Sequence, residues 1–420
     1  MEKYLLFTPG PVNVAKNVRM AVCEEDICHR EVDFERLLQS IESKLLKLFG
    51  IRKTSDYRAV VITGSGTAAN EAILSSVVGD RNILILSNGE FGERLYNMSR
   101  ILNKNTFLLE FGWGERLDMA KIETCLNENT IDIVAMVHHE TSSGMLNSLE
   151  KVGALCEAKG ATFIVDCVSS AGAEVIDMEK CHIAFCSGSS SKAIGSYPGL
   201  SFVVGKTAEF EKLKHLPVKS TYLNLDKFYQ FIKTCSQTPN TPAVPLFFAL
   251  EQTLSNILDQ GVARRFAEIK NKADRLRQGM SALGLKFLID QKDMCSILTT
   301  VQMPPHLDVS VLRQELREES IIIYEGKGSF KGSVFQVGSI GELSFADIRF
   351  FLKSLKNVLQ RSVRSEAKPI ISLPGDTPVS PLAVAELKRP PLILTGPRAS
   401  LDTGPRTSLD TGPRTSPDRV

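Results

Sequence analysis

The sequence predicts an α/β protein: a mostly parallel sheet with helices on both faces, followed by a smaller C-terminal α+β domain and a disordered tail. Three observations in the 420-residue chain support this prediction. Short apolar runs alternate with helical stretches over residues 1–255, as in parallel sheets covered by helices. The pattern changes over residues 256–360, where a long charged helix precedes strand-like pieces. Residues 361–420 are rich in proline, glycine, serine and arginine, which predicts disorder.

The first domain contains six apolar runs that we interpret as strands. Each is short and continuously hydrophobic, as expected for a strand that is buried on both faces of a parallel sheet. Ahead of them, residues 34–49 place leucine and isoleucine on one face and predict an amphipathic helix. The predicted strands are residues 59–63, 82–86, 131–137, 162–165, 183–186 and 200–204.

Polar residues gather directly after these strands. Open α/β sheets bind their ligands in the crevice outside the carboxyl ends of the strands. The sequence therefore predicts that one crevice is lined by residues 65–67, 88–92, 140–143, 166–170 and 187–192.

The last third of the chain has a different organisation. A charged helix is predicted at residues 263–283 and a second helix at residues 345–359. Strand-like pieces lie between them at residues 286–289, 297–301, 321–323 and 334–337. From residue 361 onward the chain carries ten of its nineteen prolines and an eight-residue repeat that begins at Thr395, Thr403 and Thr411. Such a segment buries too little apolar surface to fold, so we expect no catalytic role for it.

Composition and charge exclude several classes of protein. Hydrophobic residues make up 43 % of the chain and the net charge is +2, so neither nucleic acid nor a membrane is expected as a partner. The nine cysteines include no CxxC pair, which favours free thiols in a reducing cytosol over a disulfide scaffold or zinc site. The apolar run at the N-terminus is too short for a signal peptide. We therefore expect a cytoplasmic protein without a metal site.

Lys192 and Asp166 are the two residues that suggest a specific chemistry. Lys192 lies in a run of small hydroxyl residues between two predicted strands, and Asp166 ends an apolar strand. A pyridoxal phosphate site needs an amine that forms a Schiff base and shuttles a proton. It also needs a carboxylate that keeps the pyridine nitrogen protonated. A solvated loop lysine and a helix N-cap are the alternatives for these two residues.

Two further segments match what the same cofactor requires. The sequence GSGT at residues 64–67 follows a strand and opens a helix, where backbone N–H groups and hydroxyls bind phosphate. It is neither a dinucleotide fingerprint nor a P-loop, and many strand-to-helix turns look similar. Phe91 follows another strand and can stack on a ring face, although a core phenylalanine is the alternative.

Several segments, in order along the chain, carry a resemblance to a known family. They read TPGP at 8–11, GSGT at 64–67, ETSSGML at 140–146, DCVSS at 166–170, SSK at 190–192 and PG at 198–199. Over about residues 4–360 the chain resembles the class V aminotransferases of fold type I, pyridoxal-phosphate enzymes. Within that family it is most similar to the 2-aminoethylphosphonate–pyruvate transaminases, and next to the alanine/serine–glyoxylate group.

The resemblance implies a role for each matching residue. It implies that Lys192 forms the Schiff base and that Asp166 faces the pyridine nitrogen. It implies a substrate site at Pro9 and Gly10. The other implied cofactor contacts are Phe91 on the ring face, Ser65, Gly66 and Thr67 on the phosphate, Ser142 near the ring hydroxyl, and Thr241 on the phosphate of a neighbouring subunit. The last of these implies a homodimer with shared active sites.

The chain departs from the family at one position that would bind substrate. The family has an arginine two residues before the glycine of its late GxIGE motif, and this chain has Gln336 there. A glutamine cannot replace a guanidinium that grips an anion with two hydrogen bonds. Either another cation substitutes, with Lys327 a nearby candidate, or the substrate differs.

The resemblance therefore implies a transaminase with a small amino donor and a keto-acid acceptor. The first expectation is conversion of 2-aminoethylphosphonate and pyruvate to phosphonoacetaldehyde and alanine. The alternatives are an alanine/serine–glyoxylate aminotransferase, a lyase or desulfurase on the same fold, and a catalytically silent protein with an interaction role. A desulfurase would favour a reactive cysteine facing the cofactor, and the sequence offers no clear candidate.

Overall fold

The computed structural model describes residues 4–366, with side chains as far as Ser362. The strands are β1 (Leu5–Leu6), β2 (Tyr57–Thr63), β3 (Ile83–Ser87), β4 (Thr106–Glu110), β5 (Ile133–Val137), β6 (His139–Glu140), β7 (Met145–Leu146), β8 (Thr162–Asp166), β9 (Ile183–Ser189), β10 (Leu200–Lys206), β11 (Leu298–Gln302), β12 (Ile321–Ile322), β13 (Tyr324–Glu325) and β14 (Val334–Gly338). The helices are α1 (Lys16–Ala21), α2 (Val32–Leu48), α3 (Gly66–Val77), α4 (Glu90–Leu102), α5 (Met119–Glu128), α6 (Leu149–Lys159), α7 (Thr207–Lys212), α8 (Leu225–Cys235), α9 (Val244–Gln260), α10 (Val262–Ala282), α11 (Val309–Glu318) and α12 (Phe345–Glu366).

A seven-stranded sheet in the order β2-β10-β9-β8-β5-β3-β4 forms the centre of the molecule. The strands from β9 to β4 pair in parallel, whereas β10 is antiparallel to both of its neighbours. The predicted fold class, a mostly parallel sheet with helices on both faces, is confirmed. The central strands β3 and β5 are buried at every position, which explains why their sequences are continuously apolar.

One strand of this sheet, β4, was not predicted. The edge strand β4 alternates only partly between buried and exposed positions, so its apolar run is weak. The strand predicted at 183–186 is longer in the structure, where β9 continues through Ser187 to Ser189. The hydroxyls of Ser187 and Ser189 are buried among polar partners, and Gly188 lies against the Phe202 ring, none of which hydrophobicity alone predicts.

A smaller unit is built on the antiparallel sheet β11-β14-β13 and on helices α10, α11 and α12. Its core contains Leu276, Leu312, Phe335 and Phe351, and Phe7 from the N-terminal segment packs with them. The first strand, β1, pairs in parallel with β12, so the chain's beginning joins this unit and not the large domain with which it was grouped.

Several predicted boundaries differ from the observed ones. The division near residue 255 falls inside α9, and the strand predicted at 286–289 is reduced to a single bridge between Phe287 and Val301. Helix α12 continues to Glu366, so residue 361 lies within it. The remainder of the predicted disordered tail lies outside the described residues. Along residues 4–366, no helix combines the length and the apolar character that crossing a bilayer requires.

Candidate active site

Lys192 lies in a short helical turn, Ser190–Ile194, that follows β9. Its own backbone departs from helical geometry, with φ −107° and ψ −125°. Arg265 stabilises this turn, because its guanidinium donates to the carbonyls of Ala193 at 2.7 Å and Ile194 at 3.2 Å. These two hydrogen bonds hold the turn that carries the Lys192 side chain.

Gly10 packs directly against the Lys192 side chain. A Cβ atom at this position would lie 2.5 Å from Cδ of Lys192, and the φ of +132° is one that other residues rarely adopt. Pro9, which precedes it, is buried, and the hydroxyl of Tyr324 donates to the Gly10 carbonyl at 3.4 Å. The segment predicted to contact substrate thus lies beside Lys192, as that role requires.

The Lys192 amine loses its proton more readily than a solvated lysine does. Its pKa is lowered from 10.5 to about 8, chiefly by burial and also by the charges of Lys327 and Arg94, while the charge of Asp166 opposes the decrease. An amine with this pKa is a nucleophile and a proton acceptor near neutral pH, unlike a solvated lysine.

Asp166 ends β8 and is buried, with 6 % of its surface exposed. Its carboxylate accepts from the Val168 backbone N–H at 2.8 Å and from the Asn70 side chain at 2.6 Å. Asn70 is oriented in turn by the Ser187 hydroxyl, which donates to its amide oxygen at 2.6 Å. Burial raises the pKa of Asp166, and these hydrogen bonds, followed by the more distant charges of Arg94 and Lys192, oppose the increase.

The buried Asp166 carboxylate has only neutral groups in direct contact. Among residues 4–366, no cationic side chain forms an ion pair with it. A buried carboxylate is costly unless it is paired with a cation. The site therefore fits a ligand that brings its own positive charge to this position.

The turn before α3 contains the predicted phosphate-binding residues. Ser65 is the N-cap of α3, and Gly66 and Thr67 are the first two residues of the helix. Within the described part of the chain, no side chain caps this helix, and Ser65 and Thr67 are exposed. An uncapped helix N-terminus with two flanking hydroxyls is suited to a phosphate.

Phe91 is placed by a buried carboxylate. Glu140 is fully buried, and its oxygens accept from the backbone N–H groups of Phe91 at 3.2 Å and Gly92 at 3.1 Å. Ser142 donates its hydroxyl to Glu140 at 2.5 Å. Gly89 permits this approach, because a Cβ there would lie 2.5 Å from both the Glu140 Cδ and the Ser142 hydroxyl. Ser142 thus braces the segment that carries Phe91, and its predicted contact with the ring hydroxyl stays a prediction.

Two cations lie over the Phe91 ring. The Arg94 guanidinium carbon is 4.6 Å from the ring centroid, and the Lys327 amine is 5.3 Å from it. Arg94 also forms an ion pair with Glu90 at 2.9 Å, and Lys327 lies 4.0 Å from the same carboxylate oxygen. The site therefore contains cations from the large domain and from the small unit.

Gln336 occupies the position of the family's arginine but is engaged elsewhere. It is 1 % exposed, and its amide nitrogen donates to the carbonyls of Thr141 at 2.8 Å and Ser142 at 3.1 Å. Thr300 lies 3.3 Å from the same nitrogen. The residue fastens strand β14 to the loop that carries Ser142.

Thr241 is the predicted residue that lies apart from this group. It is exposed on the loop before α9, and the neighbouring Ala243 N–H donates to the Thr63 hydroxyl at the end of β2 at 3.3 Å. The loop thus lies near the turn that begins α3, while Thr241 faces outward. Its contribution to the site of a neighbouring subunit stays a prediction.

The two adjacent histidines are both buried and neutral. His138 Nδ1 lies 2.9 Å from the Ser170 hydroxyl, and His139 Nε2 lies 2.7 Å from the Cys295 sulfur. Burial lowers the pKa of each histidine to about 3 and raises the pKa of Cys295 to about 12. Cys295 is therefore a protonated thiol, which argues against a desulfurase nucleophile. Over residues 4–366, no cluster of three or more His, Cys, Asp or Glu residues is arranged for a metal ion.

Four residues of the site were not predicted: Arg94, Asn70, Tyr324 and Arg265. Helical periodicity could have suggested the first two, since Arg94 follows Phe91 by three residues and Asn70 follows Gly66 by four. Tyr324 and Arg265 come from the small unit or the helix that leads into it, and no local signal connects them with Lys192. Only the packing of the two units brings them to the site.

The site as a whole fits pyridoxal phosphate. An amine of lowered pKa can bond the aldehyde, and a buried carboxylate without a cationic partner suits a protonated pyridine nitrogen. The uncapped N-terminus of α3 suits the phosphate. The stacking of Phe91 on the cofactor ring stays a prediction.

Comparison with known proteins agrees with this fit. Residues 17–345 match the family described as aminotransferase class-V. The chain is 33 % identical over 367 residues to a 2-aminoethylphosphonate–pyruvate transaminase of Klebsiella pneumoniae subsp. pneumoniae, a match that covers 85 % of this chain and 98 % of the relative.

Solved structures show the same architecture. An alanine–glyoxylate aminotransferase from Nostoc sp. superposes with a TM-score of 0.81 at 27 % identity, over 86 % of this chain and 96 % of that one. A ureidoglycine–glyoxylate aminotransferase from Bacillus subtilis superposes with a TM-score of 0.81 at 25 % identity, over 86 % and 94 % of the two chains. These proteins share a fold and differ in the substrates that their names give.

Proposed function

The chain belongs to the class V aminotransferases, which use pyridoxal phosphate, and we propose that it transfers the amino group of 2-aminoethylphosphonate to pyruvate, forming phosphonoacetaldehyde and alanine. The aminotransferase activity follows from the family, and the donor and acceptor are the proposal. The observation that carries it is the 33 % identity to the Klebsiella enzyme over 85 % of the chain. The cations Arg94 and Lys327 beside Phe91 agree with an anionic donor.

Lys192 performs the proton transfers in this proposal. When bound, pyridoxal phosphate supplies an aldehyde carbon and a ring that withdraws electrons from the donor's reacting carbon. Lys192 Nζ removes the proton from that carbon, and its pKa of about 8 makes the free amine available for this step. The same atom returns a proton when the keto acid takes up the amino group.

Asp166 stabilises positive charge at the opposite end of the site. Its two neutral hydrogen-bond donors fix the carboxylate oxygens and leave them able to accept from a protonated ring nitrogen. Asn70 and Ser187 hold this orientation. The α3 N-terminus with Ser65, Gly66 and Thr67 binds the phosphate, and Phe91 packs on the ring.

Alanine–glyoxylate transamination is the second candidate. The likeness to the Nostoc enzyme favours it. Both reactions use the same amine and carboxylate, so only the donor and the acceptor separate them.

We also propose a cytoplasmic homodimer. All nine cysteines are free, which agrees with a reducing compartment. Thr241 is exposed, which leaves its hydroxyl accessible to the site of a second copy. Light scattering of the purified protein measures the mass directly, and a monomer that retains full activity would contradict the shared site.

A half-reaction assay tests the donor. The lysine-linked cofactor absorbs visible light, and a true donor bleaches this band when it leaves its amino group on the cofactor. We expect 2-aminoethylphosphonate to bleach the band at lower concentration than alanine or serine, and pyruvate to restore it faster than glyoxylate. Bleaching by alanine with recovery by glyoxylate, and none by the phosphonate, would replace the first candidate with the second.

A further inference from the structure

Gln336 has no hydrogen-bonding capacity left for an anion. Its amide nitrogen carries two N–H groups, and the Thr141 and Ser142 carbonyls accept from it at 2.8 and 3.1 Å. The side chain is buried, so turning it toward a ligand would leave both carbonyls without a partner. Breaking such buried bonds costs about 1–3 kcal/mol each. An anionic donor must therefore find its cation elsewhere.

Arg94 and Lys327 are the cations placed to receive it. Both lie over Phe91, and their charges act on Lys192. They share one carboxylate, Glu90, but unequally: Arg94 is 2.9 Å from it and Lys327 is 4.0 Å away. The Lys327 side chain is 45 % exposed, so its ammonium can leave this weak pairing for a ligand at little cost.

Two contacts, one on each side of Lys327 in the sequence, hold the segment that carries it. Tyr324, three residues earlier, donates to the carbonyl of Gly10, which packs on Lys192. Phe330, three residues later, packs edge-on against Trp113 with ring centroids 5.6 Å apart. Lys327 is thus flanked by a contact with the N-terminal segment beside Lys192 and a contact with the large domain, which keep its ammonium beside Phe91.

We propose that Lys327, assisted by Arg94, is the specificity-determining cation that binds the anionic group of the donor, in place of the arginine that Gln336 replaces. The inference rests on the proposed function, because it assumes a donor with an anionic end. A phosphonate or carboxylate oxygen accepts from the ammonium and from the guanidinium, which are strong charge-assisted donors. The cofactor phosphate is a second anion of similar chemistry, so the test must separate the two.

The test compares Lys327→Met with Lys331→Met, a matched control in the same loop whose side chain is exposed. Ethylphosphonate, which has the anion but no amine, is titrated calorimetrically into each holoenzyme. We expect Lys327→Met to weaken its binding about 10- to 100-fold, the loss of one charge-assisted bond, and Lys327→Arg to retain most of it. Lys331→Met should bind as the unaltered protein does.

Three further readouts distinguish the possible failures. These readouts are taken at a pH above the pKa of Lys192, where its amine is neutral in both proteins. Lys327→Met should then raise the 2-aminoethylphosphonate concentration that half-bleaches the visible band, while bleaching by propan-1-amine, which has no anionic group, and the affinity for pyridoxal phosphate stay unchanged. Equal weakening for the phosphonate and for propan-1-amine, or a loss of cofactor affinity, would overturn the inference. Unaltered ethylphosphonate binding in Lys327→Met would also overturn it. If no anionic donor bleaches the unaltered protein, the proposed function fails, whatever the calorimetry gives.

Discussion

The site has two halves that hold their charges in different ways. The buried half, from the large domain, contains Asp166, and the exposed half, from the small unit, contains Lys327. Asp166 is buried and accepts hydrogen bonds from Asn70 and from the Val168 N–H, and Ser187 orients the asparagine. Lys327 is 45 % exposed and touches its carboxylate only at 4.0 Å. The buried half is suited to chemistry common to every donor, because its geometry is preorganised and dry. The exposed half is suited to selecting the donor, because its charge can be rearranged at little cost.

Replacing Asp166 tests the buried half and should have the largest effect. Asp166→Asn preserves the shape and loses the negative charge that holds a proton on the ring nitrogen. We expect kcat to fall about 10²- to 10³-fold for every donor, the range for loss of one preorganised electrostatic contact. Steady-state kinetics of the transamination measure it. Asp80→Asn, an exposed carboxylate that precedes β3, is the control and should leave kcat unchanged. A loss restricted to anionic donors would reverse our assignment of the two halves.

Gln336 connects the two halves, and its removal should have an intermediate effect. Gln336→Leu leaves the buried Thr141 and Ser142 carbonyls without their donor, so the loop behind Phe91 loosens. We expect kcat to fall about tenfold for anionic and neutral donors alike, and stability to fall by about 1–3 kcal/mol. Donor kinetics and urea unfolding measure the two quantities.

The matched control for this prediction is Gln302→Leu, an exposed glutamine on the neighbouring strand β11. It should change neither quantity by a comparable amount. A Gln336→Leu protein that loses only its affinity for phosphonates would show that Gln336 contacts the donor directly, and the role given to Lys327 would then be wrong.

A pH profile measures how strongly the charge of Lys327 changes the pKa of Lys192. The expected change is the smallest of the three predictions. Only the neutral Lys192 amine can attack the cofactor aldehyde, so attachment speeds up as pH rises through the pKa of the lysine. With that pKa lowered to about 8 from 10.5, the midpoint for the apoprotein should lie near pH 8. Because Lys327 lowers this pKa, Lys327→Met should move the midpoint upward. Stopped-flow absorbance after mixing with pyridoxal phosphate records it. An unshifted midpoint would show that the charge of Lys327 does not influence the pKa of Lys192.

The sequence predicted the parts of the fold and site that depend on local patterns. Continuous apolar runs identified the buried strands, and a carboxylate and an amine at strand ends indicated the chemistry. The edge strand β4 was not predicted because it is only partly buried. The polar end of β9 was not predicted because its buried serines are stabilised by hydrogen bonds, which an apolar pattern does not reveal. Arg265 and Tyr324 could not be found, since they reach the site only through tertiary packing.

The departure at Gln336 shows the same limit at a single position. The sequence indicated that an arginine was replaced, but not what the glutamine does instead. The structure provides two carbonyl partners across the interface between the small unit and the large domain, and it brings Lys327 from a hairpin to the ring of Phe91. A residue's partners across such an interface cannot be read from its neighbours in sequence.

The central claim is that pyridoxal phosphate is held between Lys192 and Asp166, with Lys192 bonded to it. Borohydride donates hydride to the carbon–nitrogen double bond of this linkage and converts it to a single bond that survives proteolysis. Mass spectrometry of the digested, reduced holoenzyme should find the cofactor's mass on the peptide that contains Lys192, with stoichiometry approaching one per chain. Label on another lysine, or none on a protein that transaminates, would contradict the account.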